Sequence, residues 1–123
     1  MTRSGGPWTR LEVLPERHAV LLRVGGEIEQ ATVLVLDWGV RQALPAAAQA
    51  RAERVLLDLD EVVFLGSAGL AAVIRGHHDA ARRGVGLVVV VAADHQVARL
   101  LTVGEADQVV EIANSVEQAL TGR

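Results

Sequence analysis

Two short apolar runs open the chain, Thr9 to Leu14 and His18 to Val24, with Pro15-Glu16-Arg17 between them. Runs of that length on either side of a proline predict a pair of strands joined as a hairpin, with the turn at Pro15. Gly25-Gly26 is expected to end the second strand. From Glu29 onward the spacing changes: Val33, Leu36, Val40 and Leu44 recur at three- and four-residue intervals. That period predicts a helix from about Gln30 to Leu44, with acidic residues at its start, where the helix dipole favours them. Pro45 lacks an amide donor and restrains the residue before it, so Ala46 to Ala52 is expected to form a separate, irregular segment.

Val55 to Leu59 is short, branched and bounded by charge, which predicts a strand followed by a loop. Ser67 to Arg83 carries Leu70, Val73, Ile74 and His77 along one side and closes at Gly84, as a helix should. Leu87 to Val91 predicts the next strand. Asp94 is the expected N-cap of a helix through Leu101, and Gly104 its stop. Val109 to Ile112 predicts a last short strand, with Asn114 capping a terminal helix from Ser115 to Leu120. The order β-β-α-β-α-β-α-β-α predicts an α/β single domain: a mixed sheet of four to five strands, largely parallel with an antiparallel start, and about four helices. Residues 1–8 are expected to be a flexible N-terminal segment and residues 9–123 the domain.

Composition narrows the function. At 123 residues, half of them hydrophobic, the chain can build one core without covalent staples. It has no cysteine, which excludes disulfides and thiolate chemistry. The longest apolar run, Gly86 to Ala93, is far short of the ~20 residues that cross a bilayer, so no membrane insertion is expected. The first residues, MTRSGGPWTRLEV, lack the apolar stretch of a secretory signal, which points to a cytoplasmic protein. A formal charge of −3 and 2% aromatic residues argue against a nucleic-acid surface and favour a protein partner. Every basic side chain is arginine or histidine and none is lysine; we assign that bias no function.

The segment VVFLGSAGLAAVI carries the candidate chemistry. Gly66-Ser67-Ala68-Gly69 leaves the backbone open between a buried strand and a helix. A serine in the first turn of a helix sits beside unpaired amides and the positive end of the dipole, where the fold tolerates a phosphate. The added charge of about −1.5 to −2 would repel or crowd a docked partner. From the residues alone, a plain N-cap is the commoner role for a serine at such a strand-to-helix junction. A hydrolase nucleophile elbow is excluded, because it needs glycine two positions before the serine and Leu65 stands there. His77, His78 and His95 are read as surface or packing residues, since adjacent histidines on a helix diverge by about 100°. Trp38 is read as peripheral core packing rather than a partner anchor. Gly84 and Gly86 precede a strand and suggest no phosphate loop, and Arg82 and Arg83 suit a helix C-terminus.

Three stretches resemble the STAS family, named for sulfate transporters and anti-sigma factor antagonists. Gly26-Glu27-Ile28-Glu29 is similar to the family's Gly-Glu-Leu-Asp turn, and Leu57-Asp58-Leu59-Asp60-Glu61-Val62 precedes the central motif as in the family. Phe64-Leu65-Gly66-Ser67-Ala68-Gly69-Leu70 is similar to Phe-(Leu/Met)-Asp-Ser-(Ser/Thr)-Gly-Leu. Val97-Ala98-Arg99-Leu100-Leu101 and the turn at Gly104 follow in order, so the resemblance spans about residues 9 to 120. It implies a non-enzymatic bacterial switch for transcription, phosphorylated at Ser67 by an anti-sigma factor with a histidine-kinase-like ATPase fold and restored by a phosphatase, with no cofactor. It places partner contacts at Glu29, Thr32, Gly66, Ser67, Ala68 and Gly69. Two positions depart from the pattern: Gly66 replaces an aspartate and Ala68 a hydroxyl residue. The alternatives are a STAS binding module without phosphoregulation, part of a transporter or stress-sensing assembly, and a small-molecule or nucleotide-binding domain.

Overall fold

A computed structural model describes residues 6–121. The elements run β1 (Trp8–Leu14), β2 (Ala19–Ile28), α1 (Val33–Ala50), β3 (Arg54–Leu65), α2 (Ser67–Arg82), β4 (Gly86–Val90), α3 (Gln96–Val103), β5 (Glu111–Ala113) and α4 (Val116–Thr121). The five strands lie in chain order in one sheet; β1 is antiparallel to β2 and the other pairings are parallel. The mixed sheet, its antiparallel start and the four helices match the expected class. The first five residues of the expected flexible segment lie outside the described residues, and Trp8 belongs to β1 rather than to that segment.

Strand alternation divides the interior in two. Val20, Leu22, Val55, Leu57, Leu87 and Val89 pack on one face against Leu36 and Val40 of α1, Val73 of α2 and Leu101 of α3. Ala19, Leu21, Leu56, Val88 and Val90 form a smaller cluster on the other face, beneath Ala119 of α4. Both faces of β3 and β4 are therefore buried. That explains the continuous valine run, which period-2 alternation would not produce.

Several boundaries differ from expectation for identifiable reasons. Gly25-Gly26 does not end β2: a Cβ on Gly25 would come within 2.3 Å of the Trp8 ring, and Gly26 adopts φ +92 against Pro7. These glycines serve close approach, and the strand continues to Ile28. Helix α1 begins at Val33 with no acidic residue in its first turn, because Glu27 lies in β2 and Glu29 in the connection. It also passes through Pro45 to Ala50. Pro45 is exposed, while Leu44 and Ala47 on either side are buried, so packing holds the helix across the missing amide. The charged pair Asp60-Glu61 hides the true length of β3, which pairs with β2 as far as Leu65. A 3₁₀ turn at Ala106–Gln108 delays β5 to Glu111. His95, not Asp94, caps α3, its Nδ1 accepting from the Val97 amide at 3.0 Å. Ser115, not Asn114, caps α4, its Oγ accepting from the Gln118 amide at 3.0 Å.

Replacing Pro45 with alanine restores an amide donor on an exposed helix face. We expect Pro45→Ala to raise the unfolding free energy by about 1–3 kcal/mol, read as a higher urea midpoint.

Candidate functional site

Ser67 is the first residue of α2 and is exposed. The position before it, Gly66, is the N-cap, extended at φ −85 and ψ −179. The plain-cap role open to Ser67 in the sequence thus falls to its neighbour, and among the described residues the Ser67 hydroxyl makes no hydrogen bond. Gly66 donates its amide to the Ile28 carbonyl at 2.8 Å and accepts from the Leu70 amide at 3.0 Å. The end of β2 and the first turn of α2 are locked together through this one residue.

Of the glycines on either side of Ser67, Gly69 is needed for contact and Gly66 is closely approached. A Cβ on Gly69 would lie 2.5 Å from Leu65 Cδ1 and 2.9 Å from Ile28 Cγ2. One on Gly66 would meet the Phe64 ring at 3.3 Å and Glu29 at 3.7 Å. Glu29 therefore stands beside the Ser67 junction, exposed. Thr32 is structural in its connection: its hydroxyl accepts from the Glu29 amide at 3.0 Å and donates to the Glu27 carbonyl at 2.7 Å. Ala68 is half-buried. All six candidate positions thus lie on the β2–α1 connection or the adjoining β3–α2 junction.

Sequence reasoning missed the apolar surroundings. Leu65, Gly66, Ser67, Leu70, Leu100, Val103 and Gly104 line a concavity of roughly 200 Å³. Val103 in its wall is 74% exposed, and Val63 and Phe64, which precede Leu65 at the end of β3, are exposed as well. The signal was the doublet Leu100-Leu101: one face of α3 can bury only one of two successive leucines, and Leu101 takes it. Trp38, expected to pack at the core's edge, is 56% exposed beside Leu34 on the outer face of α1, and this corrects that expectation. The two lie four residues apart and so share that face. His77 and His78 pack edge to face on α2 with ring centroids 5.1 Å apart, and His95 is occupied as the α3 cap.

Earlier on β3, on the sheet face that carries Leu56, Asp58 is buried. Its Oδ1 accepts from the Asp60 amide at 2.9 Å, and Arg23 Nε lies 3.4 Å from Oδ2. Burial pushes its carboxyl above the ordinary aspartate value, outweighing the Asp60 amide and the Arg23 guanidinium, which lower it. Next to it, the Asp60 carboxylate accepts from the Ala92 amide at 2.8 Å.

The fold and the junction define a mixed α/β domain that offers an exposed serine hydroxyl beside an apolar hollow. The model of the STAS domain matches residues 12–119, and the chain belongs to that family. Among solved structures, an anti-sigma factor antagonist from Mycobacterium paratuberculosis is 24% identical with a TM-score of 0.74, covering 94% of this chain and 92% of that one. The Bacillus cell fate determinant SpoIIAA in its phosphorylated form is 15% identical with a TM-score of 0.61, covering 92% and 96%. The structure of SLC26A9 matches 95% of this chain but only 24% of its own, at 16% identity and a TM-score of 0.69. No curated protein sequence matches the chain. No helix among the described residues is long and apolar enough to cross a membrane.

Two outcomes follow from this geometry. Gly69→Ala should cost about 1–3 kcal/mol by forcing Leu65 and Ile28 apart, seen as a lower urea midpoint. The folded chain holds the Asp58 proton more tightly than the unfolded chain, so this residue's contribution falls as pH rises from the unfolded to the folded value. Asp58→Asn keeps the acceptor for the Asp60 amide and should remove that slope in urea titrations run from about pH 4 to 7; a slope unchanged from wild type would refute the assignment.

Proposed function

We propose that the protein is a bacterial, cytoplasmic anti-sigma factor antagonist that docks an anti-sigma factor through the Ser67 junction and is switched by phosphorylation of Ser67. The observation that carries this reading is the setting of the hydroxyl, which is exposed, first in a sixteen-residue helix, and on the rim of an apolar hollow. Unmodified, the hollow and the exposed Val63, Phe64 and Val103 offer a partner a surface that gains by burial.

The partner is an ATPase of histidine-kinase-like fold. Ser67 Oγ attacks the γ-phosphorus of its ATP, the bond to the β-bridging oxygen breaks, ADP leaves, and a base on the partner takes the hydroxyl proton. The phosphoserine is tolerated by the fold because the first amides of α2 and its dipole face it. The same dianion makes the hollow costly to desolvate, so the partner is released. A phosphatase returns the serine. Glu29 replaces neither Gly66 nor its missing side chain, yet it is the acidic residue packed against that position, available to a basic group on the partner. In this scheme the chain is substrate and ligand rather than catalyst, and needs no cofactor.

A second reading, a binding module without phosphoregulation inside a larger assembly, draws support from the match to a quarter of SLC26A9. The two separate in one experiment with the cognate anti-sigma kinase and γ-labelled ATP. Under the first, wild type takes up label and Ser67→Ala does not, while Ser67→Asp binds the kinase at least tenfold more weakly, about 1.4 kcal/mol. Equal labelling of wild type and Ser67→Ala would overturn the site assignment.

A further inference from the structure

The two edges of the sheet differ. β5 is a three-residue strand, too short to template pairing, whereas β1 has seven residues paired to β2 in an unbroken register from Trp8↔Gly25 to Leu14↔Ala19. β1 contains no bulge and no proline, the prolines being Pro7 and Pro15 just outside it; of the devices that usually blunt a long edge it keeps only two charges, Arg10 and Glu12, and these are of opposite sign. Two of its side chains, Leu11 and Val13, are 38% and 41% exposed. They point to the face that carries α1, since their partners Leu22 and Val20 belong to the cluster beneath that helix. Arg10 and Glu12, on the opposite face, are exposed and form no ion pair among the described residues; the Arg10 guanidinium lies 5.6 Å from the Trp8 ring centroid.

This strand is complementary to itself. Pairing two copies antiparallel about Leu11 sets Arg10 opposite Glu12 of the second copy and Glu12 opposite its Arg10. On the other face the same register sets Leu11 against Leu11 and Val13 against Thr9. Opposite charges directly across an antiparallel pair stabilise it, as do apolar pairs. The flank of α1 above β1 would meet its counterpart, and it is built to allow this. Gly39 already packs against Thr9, and helical spacing puts the uncharged Val35, Gln42 and Ala46 on that same side. The charges of α1, Asp37 and Arg41, lie instead on the α2 side, where Asp37 pairs with Arg75 at 3.1 Å.

We infer that β1 is a homodimerisation edge, through which two copies of this chain join their sheets into one ten-stranded sheet about a two-fold axis at Leu11. The arrangement is isologous and closes on itself, so it gives a dimer rather than a fibre. It is independent of the Ser67 reading. The antiparallel strands turn the two Ser67 junctions toward opposite ends of the joined sheet, which leaves both open.

The test is sedimentation equilibrium on the full chain from micromolar to millimolar concentration, with circular dichroism and urea titration reporting the fold of each variant. Wild type is expected to dimerise. Arg10→Glu and Glu12→Arg each place like charges across the new pairing and should weaken it at least tenfold. The double variant Arg10→Glu/Glu12→Arg restores opposite charges and should return the dimer to near the wild-type constant. A wild type that stays monomeric throughout would overturn the inference and leave the edge to a strand of another protein. Single variants that dimerise as well as wild type, or a folded double variant that does not recover, would overturn it equally.

Discussion

Parallel pairing between β2 and β3 continues after β4 has stopped, and the placement of the site follows from that extra length. β3 pairs with β4 only from Arg54 to Asp58, but with β2 as far as Leu65. Beyond Asp58 one edge of β3 has no strand beside it, and its carbonyls need other donors. Side chains from α3 supply them: Gln96 donates to the Val63 carbonyl at 2.6 Å and His95 Nε2 lies 3.1 Å from the Asp60 carbonyl. The Asp60 carboxylate meanwhile takes the Ala92 amide. These bonds pull α3 alongside α2, and the hollow between Leu70, Leu100 and Val103 is the space they leave.

On the other side of β3 the same extension brings Ile28 and Glu29 against Gly66 and Gly69. At Gly69 the junction works only because the position lacks a Cβ, so glycine is required there by packing even though the backbone angles would admit any residue. The price is a site whose geometry depends on several backbone contacts at once, which suits a surface that presents a side chain to a partner. Asp58 reveals a further tension. The Asp60 amide, at the register shift within β3, needs an acceptor at that position, and the carboxylate that provides it is held in a place that disfavours its charged form.

Much of the fold was legible because its elements obey simple periods. The helices α1 and α2, the valine strand and the small-residue junction Gly66 to Gly69 are written in spacing and small residues. What was misjudged shares one cause: local propensity lost to contacts distant in sequence. Pro45 does not break α1 because Leu44 and Ala47 are buried on the sheet, and Gly25-Gly26 does not end β2 because Trp8 and Pro7 lie over it. Trp38 was expected at the core's edge because it falls just off the apolar stripe of α1, yet it is exposed and faces away from the sheet.

The amino-acid sequence by itself determined the order of strands and helices, the absence of thiol chemistry and the position of Ser67 at the start of α2, since each depends on nearest neighbours along the chain. Only the tertiary structure decided that Gly66 rather than Ser67 caps that helix, that Glu29 stands beside it, and that Leu100 and Val103 from α3 wall the hollow. Those relations join residues about forty positions apart on one side and about thirty or more on the other. They arise from strand register and from hydrogen bonds at the bare edge of β3, neither of which leaves a period in the sequence.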